Sequence, residues 1–152
     1  MALTRFALIA LLGLTAFGAS AAIADDPTSW PQWRGPSQNG VAPSAEYPKT
    51  WSELGASTTN ITWKTELQGA GGSTPVVSGD LAFLTAGIDG KNTVLAINIE
   101  SGEQAWQVPL GADTGKKHRK GSGSNPSAVT DGQHVFAYFR SGDLGCVDVQ
   151  GN

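Results

Sequence analysis

The densest grouping of chemically capable side chains in this sequence is Lys116-Lys117-His118-Arg119-Lys120, a basic run flanked by Gly115 and Gly121. Lys and Arg side chains only donate hydrogen bonds, and the guanidinium fork matches carboxylate and phosphate geometry. The chemistry this run points to is contact with an anionic ligand, such as a phosphate, a carboxylate or an acidic sugar. A solvated charged loop has the same composition, and at sequence level that is the commoner meaning of a charge run. The remaining reactive residues are dispersed. His118 and His134 have no Cys or carboxylate at ligand spacing, so no metal centre is read. Asp131, Asp143 and Asp148 sit beside glycine turns and are expected to form turns rather than a catalytic carboxylate pair. The glycine runs 69–73 and 121–124 lack the Lys-Ser or Lys-Thr and the helix that a phosphate loop requires, and read as strand connections. No catalytic, cofactor-binding or metal-ligating residue is assigned.

Compartment and composition narrow the function classes. Residues 1–24 have the form of a signal peptide: Arg5 gives a basic start, Phe6 to Phe17 is uncharged, and Ala22-Ile23-Ala24 is a small-x-small cleavage site. The apolar core is too short to span a bilayer, and no later stretch is long enough to do so. Position 25 is Asp, so the lipobox Cys of a lipoprotein is absent. A periplasmic or secreted protein is expected. The net charge of −3 offers no basic face for nucleic acid. Cys146 is the single cysteine, which excludes an intrachain disulfide, and its place in an alternating strand predicts a buried, inert thiol.

The elements that would position these residues follow from texture. Residues 25–60, rich in Pro, Gly and Trp, read as a coil lying across a larger body and burying Trp30, Trp33 and Trp51. Ile61 to Leu67 alternates as a half-buried strand, with Ile61, Trp63 and Thr65 on one side. Four strands are then predicted at 74–77, 81–85, 93–97 and 104–108, separated by Ser78-Gly79-Asp80, Asp89-Gly90 and Ser101-Gly102. Three more follow at 125–129, 134–139 and 144–149. The two sets are copies of one phrase: Pro75 matches Pro126, Phe83 matches Phe136, Ala96 matches Cys146 and Asn98 matches Asp148. A repeat of roughly 40 to 50 residues built from short strands is the period of a β-propeller blade. The expected fold is all-β: antiparallel four-stranded blades of an incomplete propeller over 61–152, with a blade at 73–110, an unfinished one at 124–152 and a lone closing strand before them.

Within the first copy, Ala96, Asn98, Ser101, Gly102 and Trp106 form the pattern A-x-N-x-x-S-G-x-x-x-W. A small residue at 96 lets strands approach, Asn98 and Ser101 can bond the turn backbone, Gly102 supplies positive φ, and Trp106 can cover an adjacent sheet. Burying that ring is worth on the order of 3 kcal/mol. The pattern resembles the tryptophan-docking motif of PQQ-like (pyrroloquinoline-quinone-type) β-propeller repeats, shared by quinoprotein alcohol dehydrogenases and a non-catalytic outer-membrane assembly propeller. The entrance Trp30 to Val41 and the segment 61–67 are also similar to the start of exported bacterial propellers of planctomycete type. The resemblance implies seven or eight blades in a full domain, and so an N-terminal fragment here. Its catalytic members hold PQQ above a disulfide of adjacent cysteines and beside calcium, and a single cysteine cannot supply that disulfide. The leading expectation is therefore an exported, non-enzymatic module for binding or assembly, without a cofactor, whose partners are the remaining blades or another protein. The alternatives are the N-terminal part of a quinone-dependent dehydrogenase, with PQQ and calcium, and a carbohydrate- or anion-binding propeller.

Overall fold

The computed structural model of the chain describes residues 29–43, 46–54, 57–114, 118–119 and 121–152. The expected signal peptide lies outside the described residues, as do Lys116, Lys117 and Lys120 of the basic run. All nine regular elements among the described residues are β-strands.

Four of them, β3 (Val76–Ser78), β4 (Leu81–Ile88), β5 (Lys91–Asn98) and β6 (Gln104–Ala112), form one antiparallel sheet in sequence order. Three more, β7 (Val129–Thr130), β8 (His134–Tyr138) and β9 (Leu144–Asp148), form a second. The expected meander is thus present, with β4, β5 and β6 longer than predicted and β7 sharing only Val129 with the predicted strand at 125–129. Pro126 has no N–H to give a ladder, and the 125–128 stretch is held by side-chain bonds instead.

Register explains the burial pattern. Val76 pairs with Phe83, Phe83 with Ala96 and Ala96 with Trp106, so these four side chains form one row across the first sheet. Because Ala96 is small, Phe83 and Trp106 approach across it to a ring-centroid separation of 5.8 Å. The row packs on the second sheet through Ala128, Val135, Ala137, Phe139 and Val147, and this interface is the main core of the protein. A smaller cluster of Ala86, Ile88 and Leu95 lies on the opposite face of the first sheet.

Three expectations are corrected. Residues 61–67 are in no strand: no strand among the described residues pairs with them, although Ile61 and Thr65 keep the predicted inward phase. The 25–60 coil contains a short antiparallel hairpin, β1 (Ser52–Leu54) with β2 (Ser57–Thr59), closed where Asn60 Nδ2 donates to Thr50 O at 2.8 Å. Of its tryptophans only Trp30 is partly buried, while Trp33 and Trp51 are 65% and 72% exposed. Trp30 lies along the free edge of β3, exchanging two backbone hydrogen bonds with Val77, and Pro31 O accepts from Thr130 N of β7. The coil thereby ties the first strands of both sheets together, which is the part of its expected role that the structure keeps.

Candidate functional site

The two sheets are joined by a docking arrangement that occurs twice. Trp106 leaves β6 and donates its indole N–H to Val149 O at 3.0 Å, and its ring lies on Gly151, where an added Cβ would meet it at 2.9 Å. Trp63 does the same one unit earlier: its indole N–H donates to Ile99 O at 2.8 Å, and its ring covers Gly102, where a Cβ would come within 2.5 Å. Thr65 Oγ1 adds a hydrogen bond to Gly102 O. Both glycines have positive φ, 75° and 91°, so an L side chain is excluded by backbone and ring alike.

Each receiving turn is built by the residue that the sequence pattern singled out. Asn98 Oδ1 accepts from Glu100 N and Ser101 N, Ser101 Oγ accepts from Glu103 N, and Gly102 N donates to Asn98 O. In the second copy Asp148 Oδ1 accepts from Gln150 N and Asn152 N, and Gly151 N donates to Asp148 O. That turn is one residue tighter, since Asn98 N reaches Glu103 O whereas Asp148 N reaches Asn152 O. The pattern Ala96 to Trp106, contiguous in sequence, is therefore divided between two interfaces: its turn receives Trp63, and its own Trp docks on the next turn. The shared W-x-x-x-L of Trp63 to Leu67 and Trp106 to Leu110 is the sequence signal for this pairing.

A buried polar network locks the same interface. Asn92, 1% exposed, donates through Nδ2 to Ala112 O and Ser141 Oγ and accepts at Oδ1 from Ser124 Oγ at 2.7 Å. Thr85 Oγ1 lies within hydrogen-bonding distance of both Ser124 O and Pro126 O. None of these residues stood out in the sequence, because buried Asn, Thr and Ser carry no periodic signature.

The carboxylates that could have done acid or base chemistry are committed to turns. Asp131 Oδ1 accepts from Gln133 N and His134 N, and the backbone N–H of His134, then that of Gln133, holds its carboxyl below the usual range. The Asn152 backbone and side-chain amides do the same for Asp148. Asp143 Oδ2 accepts from Ser141 Oγ at 2.7 Å. Cys146, expected to be buried, is exposed. It stands in β9 at the position of Ala96 in β5, on the side of the second sheet that faces away from the first.

Among the described residues, two surface features bear on function. An apolar pocket of about 240 Å³ lies between residues 63–67 and the first sheet, lined by Trp63, Leu67, Pro75, Ala82, Leu84 and Ile97. A more open cleft of about 520 Å³ lies between residues 70–72 and the described residues Arg119, Gly121, Ser122 and Asn125, Arg119 being the described cation of the basic run. His118 is exposed and is not among the residues that line this cleft.

Four-stranded and three-stranded antiparallel meanders, stacked face to face and pinned by a Trp from one unit on the turn of the next, define successive blades of a β-propeller. A family model described as outer membrane protein assembly factor BamB, a PQQ-like repeat model, matches residues 19–152. The chain belongs to that PQQ-like repeat family. No curated protein sequence matches it.

Proposed function

We propose that this chain is an exported, non-enzymatic PQQ-like propeller module that works by binding, with further propeller blades as the occupants of its open faces. The observation that carries this is the repetition of one docking device at two positions. At the interface between the sheets the device is accompanied by full burial of Val76, Phe83 and Ala96. On the far side of the second sheet, the matching row of Val129, Phe136 and Cys146 is uncovered, with Val129 45% exposed. The 240 Å³ pocket beside Trp63 is the complementary opening at the other end. Continuity with an interface already formed selects a blade as the partner, since a blade presents the small and branched residues that such a row receives. The family description names an assembly factor, which supports a role in protein assembly.

The quinone chemistry of catalytic relatives does not fit the residues present. The single Cys146 lies on an exposed blade face, and Asp131, Asp143 and Asp148 are held in turns. Titration of the full chain with the quinone and calcium, followed by absorbance, tests this. No stoichiometric complex is expected, and a tight one would establish the dehydrogenase reading instead. Export is tested separately by expressing the chain with its leader and sequencing the mature N-terminus, expected at Asp25 in the extracytoplasmic fraction.

A further inference from the structure

The 520 Å³ cleft differs in chemistry from the apolar pocket and from the open blade faces. Its described lining includes Gly71, Gly72, Arg119, Gly121, Ser122 and Asn125, with no carboxylate among these described residues. Arg119 is exposed and forms no ion pair or hydrogen bond among the described residues. A guanidinium is a donor in every protonation state that a protein reaches, so its fork is available to an anionic acceptor that enters the cleft.

The rest of the lining is shaped around a second donor. Asn125 Oδ1 accepts from Ser122 N at 3.2 Å and Ser122 Oγ at 2.8 Å. Those two bonds fix the amide plane and assign Nδ2 as the group without an acceptor among the described residues. The amide sits between the two loops: a Cβ at Gly121 would lie 2.7 Å from Asn125 Nδ2, and one at Gly72 would lie 3.2 Å from Oδ1. Side chains at 72 and 121 would therefore displace it. Gly71 N and Gly72 N also make no hydrogen bond among the described residues. Among the described residues, this lining offers a cation, a fixed amide donor, two unengaged backbone N–H groups and no acid, a set complementary to an oxyanion. Its volume is in the range of small-ligand sites and accommodates a molecule of sugar size.

We infer that this cleft binds a small, sugar-sized ligand through an oxyanion, a carboxylate or a phosphate ester, with Arg119 as the charged anchor and Asn125 as the positioning donor. The site is independent of what covers the open blade faces, because none of its residues belongs to them.

Titration of the isotope-labelled full chain, read by amide chemical shifts, tests the inference with glucuronate, glucose 6-phosphate and uncharged glucose as probes. Saturable shifts at Gly71, Gly72 and the Asn125 side-chain amide are expected with at least one charged sugar and not with glucose. The charged probe that binds more tightly identifies the oxyanion. Arg119→Gln is expected to weaken binding about tenfold or more while leaving the shifts of β4 and β5 in place, and Arg119→Lys is expected to recover part of the loss. Absence of saturable shifts with both charged sugars would overturn the inference, and so would wild-type affinity in Arg119→Gln.

Discussion

The two blades carry the same row of side chains in opposite circumstances. In the first, Val76, Phe83 and Ala96 are fully buried and Trp106 closes the row. In the second, Val129, Phe136 and Cys146 occupy the matching places and look out from the molecule. Residue type is nearly constant between the rows, so burial here is a property of the neighbour and not of the strand. A repeat unit of this kind buries one face only when another unit arrives, which is the basis for proposing the exposed row as an interaction surface.

The largest effect should come from breaking the interface that is complete. Trp106→Ala removes the ring from Gly151 and Phe83 and the indole bond to Val149, and is expected to cost about 3 kcal/mol in denaturant unfolding. Trp63→Ala, at a ring already 37% exposed, should cost about half as much. Equal losses would mean that the two docking positions are energetically alike despite their different surroundings. Next is Asn92→Ala, which leaves the buried Ser124 hydroxyl without its acceptor and removes the donors to Ser141 Oγ and Ala112 O at the blade junction. A loss of about 2 kcal/mol is expected, and no change in thermal unfolding would show that the network is dispensable.

A finer contrast separates the two receiving turns. Asn98 is neutral, whereas Asp148 does the same work as a carboxylate whose pKa is lowered by the Asn152 amides. For a depressed carboxyl, the folded state binds its proton less readily than the unfolded chain. Its stabilisation is therefore present above the ordinary aspartate value of 3.8 and is lost as pH falls through the lower folded value. Asp148→Asn should keep the turn and reduce the acid sensitivity of unfolding below pH 3.8, which an acid titration of stability would reveal. Unchanged acid sensitivity would place its origin elsewhere, Asp131 being the next group with a lowered pKa. The smallest effect concerns Cys146. Alkylation of the native chain should proceed at the rate of an exposed thiol and shift stability by less than about 0.5 kcal/mol. A thiol that reacts only after unfolding would mean that the second row is covered in solution.

Much of the fold was legible because turns and repeats are local. Ser78-Gly79-Asp80, Asp89-Gly90 and Ser101-Gly102 marked the hairpins, and the matched positions of the two copies marked the blades. What could not be read was which unit a side chain serves. Trp106 was visible as a docking ring, but its target lies in the following copy. Trp63 looked like a strand residue because alternation is the same whether or not a ladder forms. Cys146 was expected to be buried for a related reason, since alternation alone does not say which side of the second sheet packs on the first. The cleft beside Arg119 depends on Asn125 meeting glycines 72 and 121, a contact between distant segments with no periodic trace.

Each Trp of the repeat serves the turn of the next unit, and exchange of the indole N–H protons with deuterium tests this most directly. With the resonances assigned by single Trp→Phe replacements, Trp106 and Trp63 should exchange slowly, Trp106 the slower of the two, because their N–H groups are bonded to Val149 O and Ile99 O. Trp33 and Trp51, exposed at 65% and 72%, should exchange at the rate of a free indole. Exchange of Trp106 and Trp63 as fast as that of Trp33 and Trp51 would contradict the account.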